Sequence, residues 1–155
     1  MDCDGVLTDG RLYYSADGEA LKVFDSHDGQ GLVSWHRSGG ISGIISGRGA
    51  HKIIQCRCDE LGIGHLRTSS TDKIADCKEI AAELGISLAD TAFIGDDLGD
   101  LGVMSAVGLA IAVADAVEEV RSAAHYITDN RGGRGAVREV TDLLLKAKRD
   151  AEPTP

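Results

Sequence analysis

Zinc chemistry finds little support in this chain, because its four cysteines, Cys3, Cys56, Cys58 and Cys77, are too few and wrongly spaced. Cys56-Arg57-Cys58 has one intervening residue and the others are scattered, so no zinc pair forms. Free thiols in a reducing cytosol are expected, ahead of disulfides. Basic charge is also short. Sixteen Lys and Arg face 25 Asp and Glu, a formal net charge of -9, which argues against nucleic acid as a partner because phosphate backbones attract basic patches. No apolar run is long enough to cross a membrane and no signal peptide is visible, so the expectation is a cytoplasmic protein with no membrane contact.

What is present is an alternation of apolar runs and helix-period segments over 155 residues, enough for one domain across residues 1–150 and a polar, disordered tail at 151–155. Arg11–Tyr14 and Ala20–Phe24 flank Ser15-Ala16-Asp17-Gly18-Glu19 and predict an inserted β-hairpin. Strands are predicted at 41–45, 65–68, 91–94, 108–113 and 126–127. Helices are predicted at 31–38, from the turn after Ser46 to about Leu61, then at 72–84, from after Asp100 to about 106, at 117–124 and at 136–149. Trp35 and Met104 read as core filling; His36, His51 and His125 lack partners at metal spacing. This succession implies an α/β fold with a parallel sheet covered on both faces.

The polar clusters fall where such sheets bind ligands, beyond the carboxyl ends of the strands. The chain opens Asp2-Cys3-Asp4-Gly5, and in an extended strand Asp2 and Asp4 share a face. Like charges so crowded suggest a metal site, a nucleophile and acid pair, or both. Ser46 follows the second strand, Lys73 opens the helix after the third, and Asp96, Asp97 and Asp100 follow the fourth. Hard oxygen ligands without a His or Cys cluster favour Mg2+. Phosphoryl transfer uses this set: Asp2 as nucleophile, Asp4 as acid and then base, Ser46 with the amides beside it at a helix N-terminus on the phosphate, and Lys73 as counter-charge. Asp2, Asp96 and the Asp4 carbonyl would hold the metal, with Asp97 and Asp100 orienting that shell.

Asp2-Cys3-Asp4-Gly5-Val6-Leu7-Thr8-Asp9-Gly10, Ile45-Ser46-Gly47-Arg48, Lys73 and Ile94-Gly95-Asp96-Asp97-Leu98-Gly99-Asp100 together resemble, in order, the four motifs of the haloacid-dehalogenase-like (HAD) phosphatases. Phe24–Gly31 and Arg131–Glu139 add a resemblance to the capless group containing 3-deoxy-D-manno-octulosonate 8-phosphate phosphatase. The resemblance implies a three-layer Rossmann-like sandwich with no cap domain and a hairpin after the first strand. It implies a magnesium-dependent phosphatase acting on an eight- or nine-carbon acidic sugar phosphate of a lipopolysaccharide-type pathway. It also implies a homotetramer whose active sites are completed by neighbouring subunits. Gly47 then joins Ser46 and Lys73 at the phosphate, and Asp28, Gly29, Arg48, Arg134 and Arg138 contact the sugar.

Three departures stand out. Relatives carry apolar residues ahead of the nucleophile that form a central strand, whereas Met1-Asp2 opens this sequence; Ser69 stands where a glycine is usual; and His27 replaces a basic residue. Lys78 competes with Lys73 but falls later on its helix. A receiver-type signalling domain shares the Asp, Ser and Lys set but lacks an acid two residues after the acceptor. The remaining alternatives are a nonulosonate 9-phosphate phosphatase and a non-catalytic assembly domain.

Overall fold

Residues 1–151 are described by a computed structural model. A hairpin of β1 (Tyr13–Ser15) and β2 (Gly18–Leu21) precedes α1 (Ser26–Arg37), β3 (Gly43–Ile45), α2 (His51–Leu61), β4 (His65–Arg67) and α3 (Lys73–Leu84). Then come β5 (Ala92–Gly95), α4 (Leu101–Met104), β6 (Leu109–Ala112), α5 (Glu118–Ala123), β7 (Tyr126–Ile127) and α6 (Ala136–Ala151). The expectation for the tail at 152–155 lies outside the described residues.

The parallel sheet comes in two pieces, β4-β3 and β5-β6-β7. Residues 1 and 2 join them. The Met1 amino group donates to Gly43 O and Ile45 N–H to Met1 O, both at 3.0 Å, while Asp2 N–H donates to Ile94 O at 3.0 Å. Two residues thus span the seam at the carboxyl ends of β3 and β5. Behind them lies an apolar cavity of about 240 Å³, with Met1, Gly43, Ile45, Phe93, Ile94 and Val137 among its walls.

Helices cover the sheet in two packed groups, α1 with α2 and α6, and α3 with α4 and α5. Ile44, Ile54, Phe93, Ile111, Val113 and Val137 are buried between them, each contributing about 1.5–3 kcal/mol over an exposed position. Met104 joins this core as expected; Trp35 is only half-buried, and its indole N–H donates to Ile41 O at 3.0 Å. That contact accompanies the start of β3 at Gly43 rather than at the expected Ile41, which is 54% exposed.

The largest difference from the sequence reading is α1, which begins at Ser26 rather than near Gly31. Asp25 caps it, accepting His27 N–H at 2.7 Å. Gly31 looks like a helix breaker in sequence but serves close packing. A Cβ there would lie 2.4 Å from Thr141 Oγ1 and 3.1 Å from Arg138 Cα, so α1 and α6 meet where side chains are absent. The same helix buries Asp28, whose carboxylate accepts the N–H groups of Gly135 at 3.3 Å and Arg138 at 2.8 Å and so caps α6.

Asp28→Ala should therefore lower stability to urea by about 1–2 kcal/mol, the usual range for a lost cap, with KM unchanged. A raised KM at an unchanged urea midpoint would instead put this carboxylate at the substrate.

Candidate active site

The loop that carries Asp4 starts where the seam ends. After Asp2 the chain leaves strand geometry at once, and the amides of Leu7 and Thr8 both donate to Cys3 O, at 2.9 and 3.1 Å. Asp4 therefore sits in a turn, not two residues along a strand as expected, yet both carboxylates line the same cleft of about 390 Å³. Gly5 makes the turn possible: its φ is +88°, and a Cβ would fall 2.0 Å from Asp96 Oδ2.

Asp2, Asp96 and Asp100 each offer a carboxylate oxygen within 4.8 Å of the others. Asp2 Oδ1 accepts Cys3 N–H at 2.7 Å, leaving Oδ2 at 3.0 Å from Lys73 Nζ. Lys73 also donates to Asp100 Oδ1 at 2.6 Å, and Asp100 Oδ2 accepts the amides of Asp96 and Asp97 at 3.0 and 3.3 Å. Asp100 is thus fully engaged as a support. Asp97 lies exposed on the rim and caps the short 3₁₀ turn Leu98–Asp100 through Leu98 N–H at 2.7 Å. Asp96 Oδ1 is buried and has no hydrogen-bond partner among the described residues.

Electrostatics follow from this crowding. Burial, with Asp2 and Asp100 close by, pushes the Asp96 carboxyl up to about 8. Burial also raises Asp2, against the pull of Lys73. On Lys73 the same desolvation is outweighed by Asp2 and Asp100, which hold the ammonium above its ordinary value. An unpartnered buried carboxylate oxygen facing two more carboxylates is a hard-oxygen site, and the residues present fit Mg2+, with Asp2 and Asp96 as side-chain ligands.

Asp72 caps α3 by accepting the amides of Ile74 and Ala75, which sets Lys73 at the first helical position, pointing into the cleft. Lys78 is exposed on the same helix. Ser46, 1% exposed, ends β3; its hydroxyl donates to Asp4 Oδ2 at 3.3 Å and accepts Arg48 N–H at 3.1 Å. That bond shapes a turn, so α2 begins only at His51 and the amides beside Ser46 belong to the turn, not to a helix N-terminus as expected. Gly47 and Arg48 line the cleft. Ser69 adopts φ +56°, the left-handed region where glycine is usual.

Other expected sugar contacts lie outside this cleft in the single chain. Asp28 caps α6, and Gly29 packs against Arg57, whose Nη2 would be 2.4 Å from an added Cβ. Arg138 pairs with Asp142 at 2.7 Å, while Arg134 lies 3.7 Å from Asp9. The glycine-arginine segment folds onto the chain's own Asp4–Gly10 loop through Gly133 N–H and Val6 O at 2.8 Å.

Sequence reasoning misses Lys22 and Glu19. Lys22 has a side chain 1% exposed, paired with Asp4 and with Glu19 at 2.6 Å, and these bonds outweigh desolvation to keep the ammonium charged. Glu19 in turn holds Arg48 at 3.3 Å, and Arg48 donates to Tyr14 Oη at 2.8 Å. The only local signal is the three-residue spacing of Glu19 and Lys22, which also suits an exposed ion pair.

Comparison with known proteins points the same way. Residues 50–140 match the family profile of haloacid dehalogenase-like hydrolases. A 3-deoxy-D-manno-octulosonate 8-phosphate phosphatase from Yersinia pestis is 46% identical over 147 residues, covering 95% of this chain and 78% of that protein. A phosphatase of the same name from Moraxella catarrhalis, solved with a magnesium ion, a phosphate ion and a KDO molecule, is 41% identical with a TM-score of 0.91, covering 96% of this chain and 85% of that one. A cobalt-bound counterpart from Haemophilus influenzae is 38% identical with a TM-score of 0.93, covering 96% of this chain and 86% of that one.

A proton held by Asp96 up to about pH 8 in the folded, metal-free chain, against an ordinary value of 3.8, has a definite sign. The folded state binds the extra proton, so metal-free stability should fall as pH rises from 3.8 towards 8. Magnesium must displace that proton, so its apparent affinity should rise roughly tenfold per pH unit below that value and then level off. Melting temperatures and calorimetric Mg2+ titrations across pH check both slopes.

Proposed function

This chain belongs to the haloacid dehalogenase-like hydrolase family, and from that premise we propose that it is a magnesium-dependent phosphatase that hydrolyses 3-deoxy-D-manno-octulosonate 8-phosphate. The observation that carries this reading is one cleft in which Asp2, Asp4, Ser46, Lys73 and Asp96 meet, with the Asp2 amide bonded to Ile94 O of β5, the strand that Asp96 follows. An Asp2 oxygen attacks phosphorus, forming an aspartyl-phosphate as the bond to the sugar oxygen breaks. Asp4 gives its proton to that leaving oxygen. It then takes a proton from the water that attacks phosphorus and frees Asp2. Ser46, Gly47 and Lys73 hold phosphate oxygens. Magnesium, when bound, neutralises charge on the phosphate. Arg48 lines the cleft and would contact the sugar.

Asp2→Asn should reduce phosphate release to background, and Asp4→Asn should cost about 10²–10⁴-fold in kcat. Octulosonate 8-phosphate should lead nonulosonate and hexose phosphates in kcat/KM. Unchanged turnover in Asp2→Asn would sink the reading.

The reading extends to a cytoplasmic homotetramer, and the hairpin supports the assembly. Leu12, Tyr14, Leu21 and Val23 are 46%, 64%, 46% and 52% exposed, an apolar group that a neighbouring copy would cover. Among the described residues, no helix is long and apolar enough to cross a membrane. Leu21→Asp with Val23→Asp should shift the mass measured by light scattering from tetramer towards smaller species. An unchanged mass would remove the hairpin from the interface.

A further inference from the structure

We propose that Lys22 is a positioning residue that assigns the two oxygens of Asp4 to different tasks, fixing Oδ1 and leaving Oδ2 to carry the catalytic proton. The proposal rests on the reading of Asp4 as proton carrier. Lys22 leaves the hairpin at the end of β2, and its side chain is 1% exposed, enclosed with Asp4 and Glu19. Its ammonium donates to Asp4 Oδ1 and, at 2.6 Å, to Glu19 Oε1. Asp4 Oδ2 points the other way, 3.3 Å from the Ser46 hydroxyl that lines the cleft.

A carboxylate rotates about its last bond between broad, roughly twofold wells, so an unanchored aspartate exchanges its oxygens freely. An ammonium bonded to one oxygen removes that freedom. Having no acceptor site, it also leaves the proton no place but the second oxygen. During attack on phosphorus that proton passes from Asp4 Oδ2 to the departing sugar oxygen, and Asp4 is left as a carboxylate held by Lys22. Glu19 extends the arrangement: its Oε1 takes Lys22 and its Oε2 takes Arg48 at 3.3 Å. The hairpin thereby sets both the proton carrier and the cleft-edge arginine.

The test compares Lys22→Met with wild type on an alkyl phosphate and on p-nitrophenyl phosphate, using kcat/KM. That quantity reports steps up to formation of the aspartyl-phosphate, and p-nitrophenolate leaves without needing a proton. Lys22→Met should lose at least about tenfold more on the alkyl substrate than on p-nitrophenyl phosphate. Lys22→Arg should recover part of the difference, since a guanidinium can hold Oδ1. Equal losses on both substrates, or none, would overturn the proposal. Asp4→Asn run in parallel must show the same bias. Its absence there overturns the acid assignment itself, whereas bias in Asp4→Asn without bias in Lys22→Met overturns only the role of Lys22. If Lys22→Met does not fold by circular dichroism, Lys22→Leu, which likewise has no donor for Oδ1, carries the same comparison.

Discussion

Repulsion among Asp2, Asp96 and Asp100 governs this molecule, because their oxygens lie within 4.8 Å of one another in a largely buried space. At about 4 Å and an effective dielectric near 20, each pair of full charges would cost about 4 kcal/mol. Three features contain that cost. Lys73 sits between Asp2 and Asp100, two backbone amides are spent on Asp100, and Asp96 keeps a proton to well above the ordinary carboxylate range. A divalent cation completes the same compensation, which is why affinity for metal and catalytic competence share one origin.

Much of this was legible in the residues. The order of strands and helices follows from apolar periodicity, and the polar residues after successive strands converge because parallel sheets place those ends on one edge. Lys73 was readable because Asp72 before it is a strong cap that fixes the start of α3. Less legible was whatever depends on contacts distant in sequence. The glycines and Asp28 of Phe24–Gly31 suggest a ligand loop, yet in the fold they begin a helix, and the N–H donors to Asp28 lie more than a hundred positions away. Lys22 was invisible for the same reason: between Leu21 and Val23 it looks like any surface lysine, and only the folded hairpin encloses it. Asp2 and Asp4 share a cleft as expected, but through a turn built on Cys3 O rather than strand alternation.

The hairpin has two unlike surfaces. Its apolar side chains face outward, while its Glu19 and Lys22 face the loop that carries Asp4. An element that projects from the sheet is thus tied to the cleft by ion pairs sheltered from solvent, where charge contacts are screened least.

Residues 1 and 2 are hydrogen-bonded to both β3 and β5, with the apolar cavity behind them. The residue whose amide pairs with β5 is also one whose carboxylate lines the cleft. Any fluctuation that breaks this pairing would therefore displace the carboxylate in the same movement, so sheet order and cleft order rise and fall together.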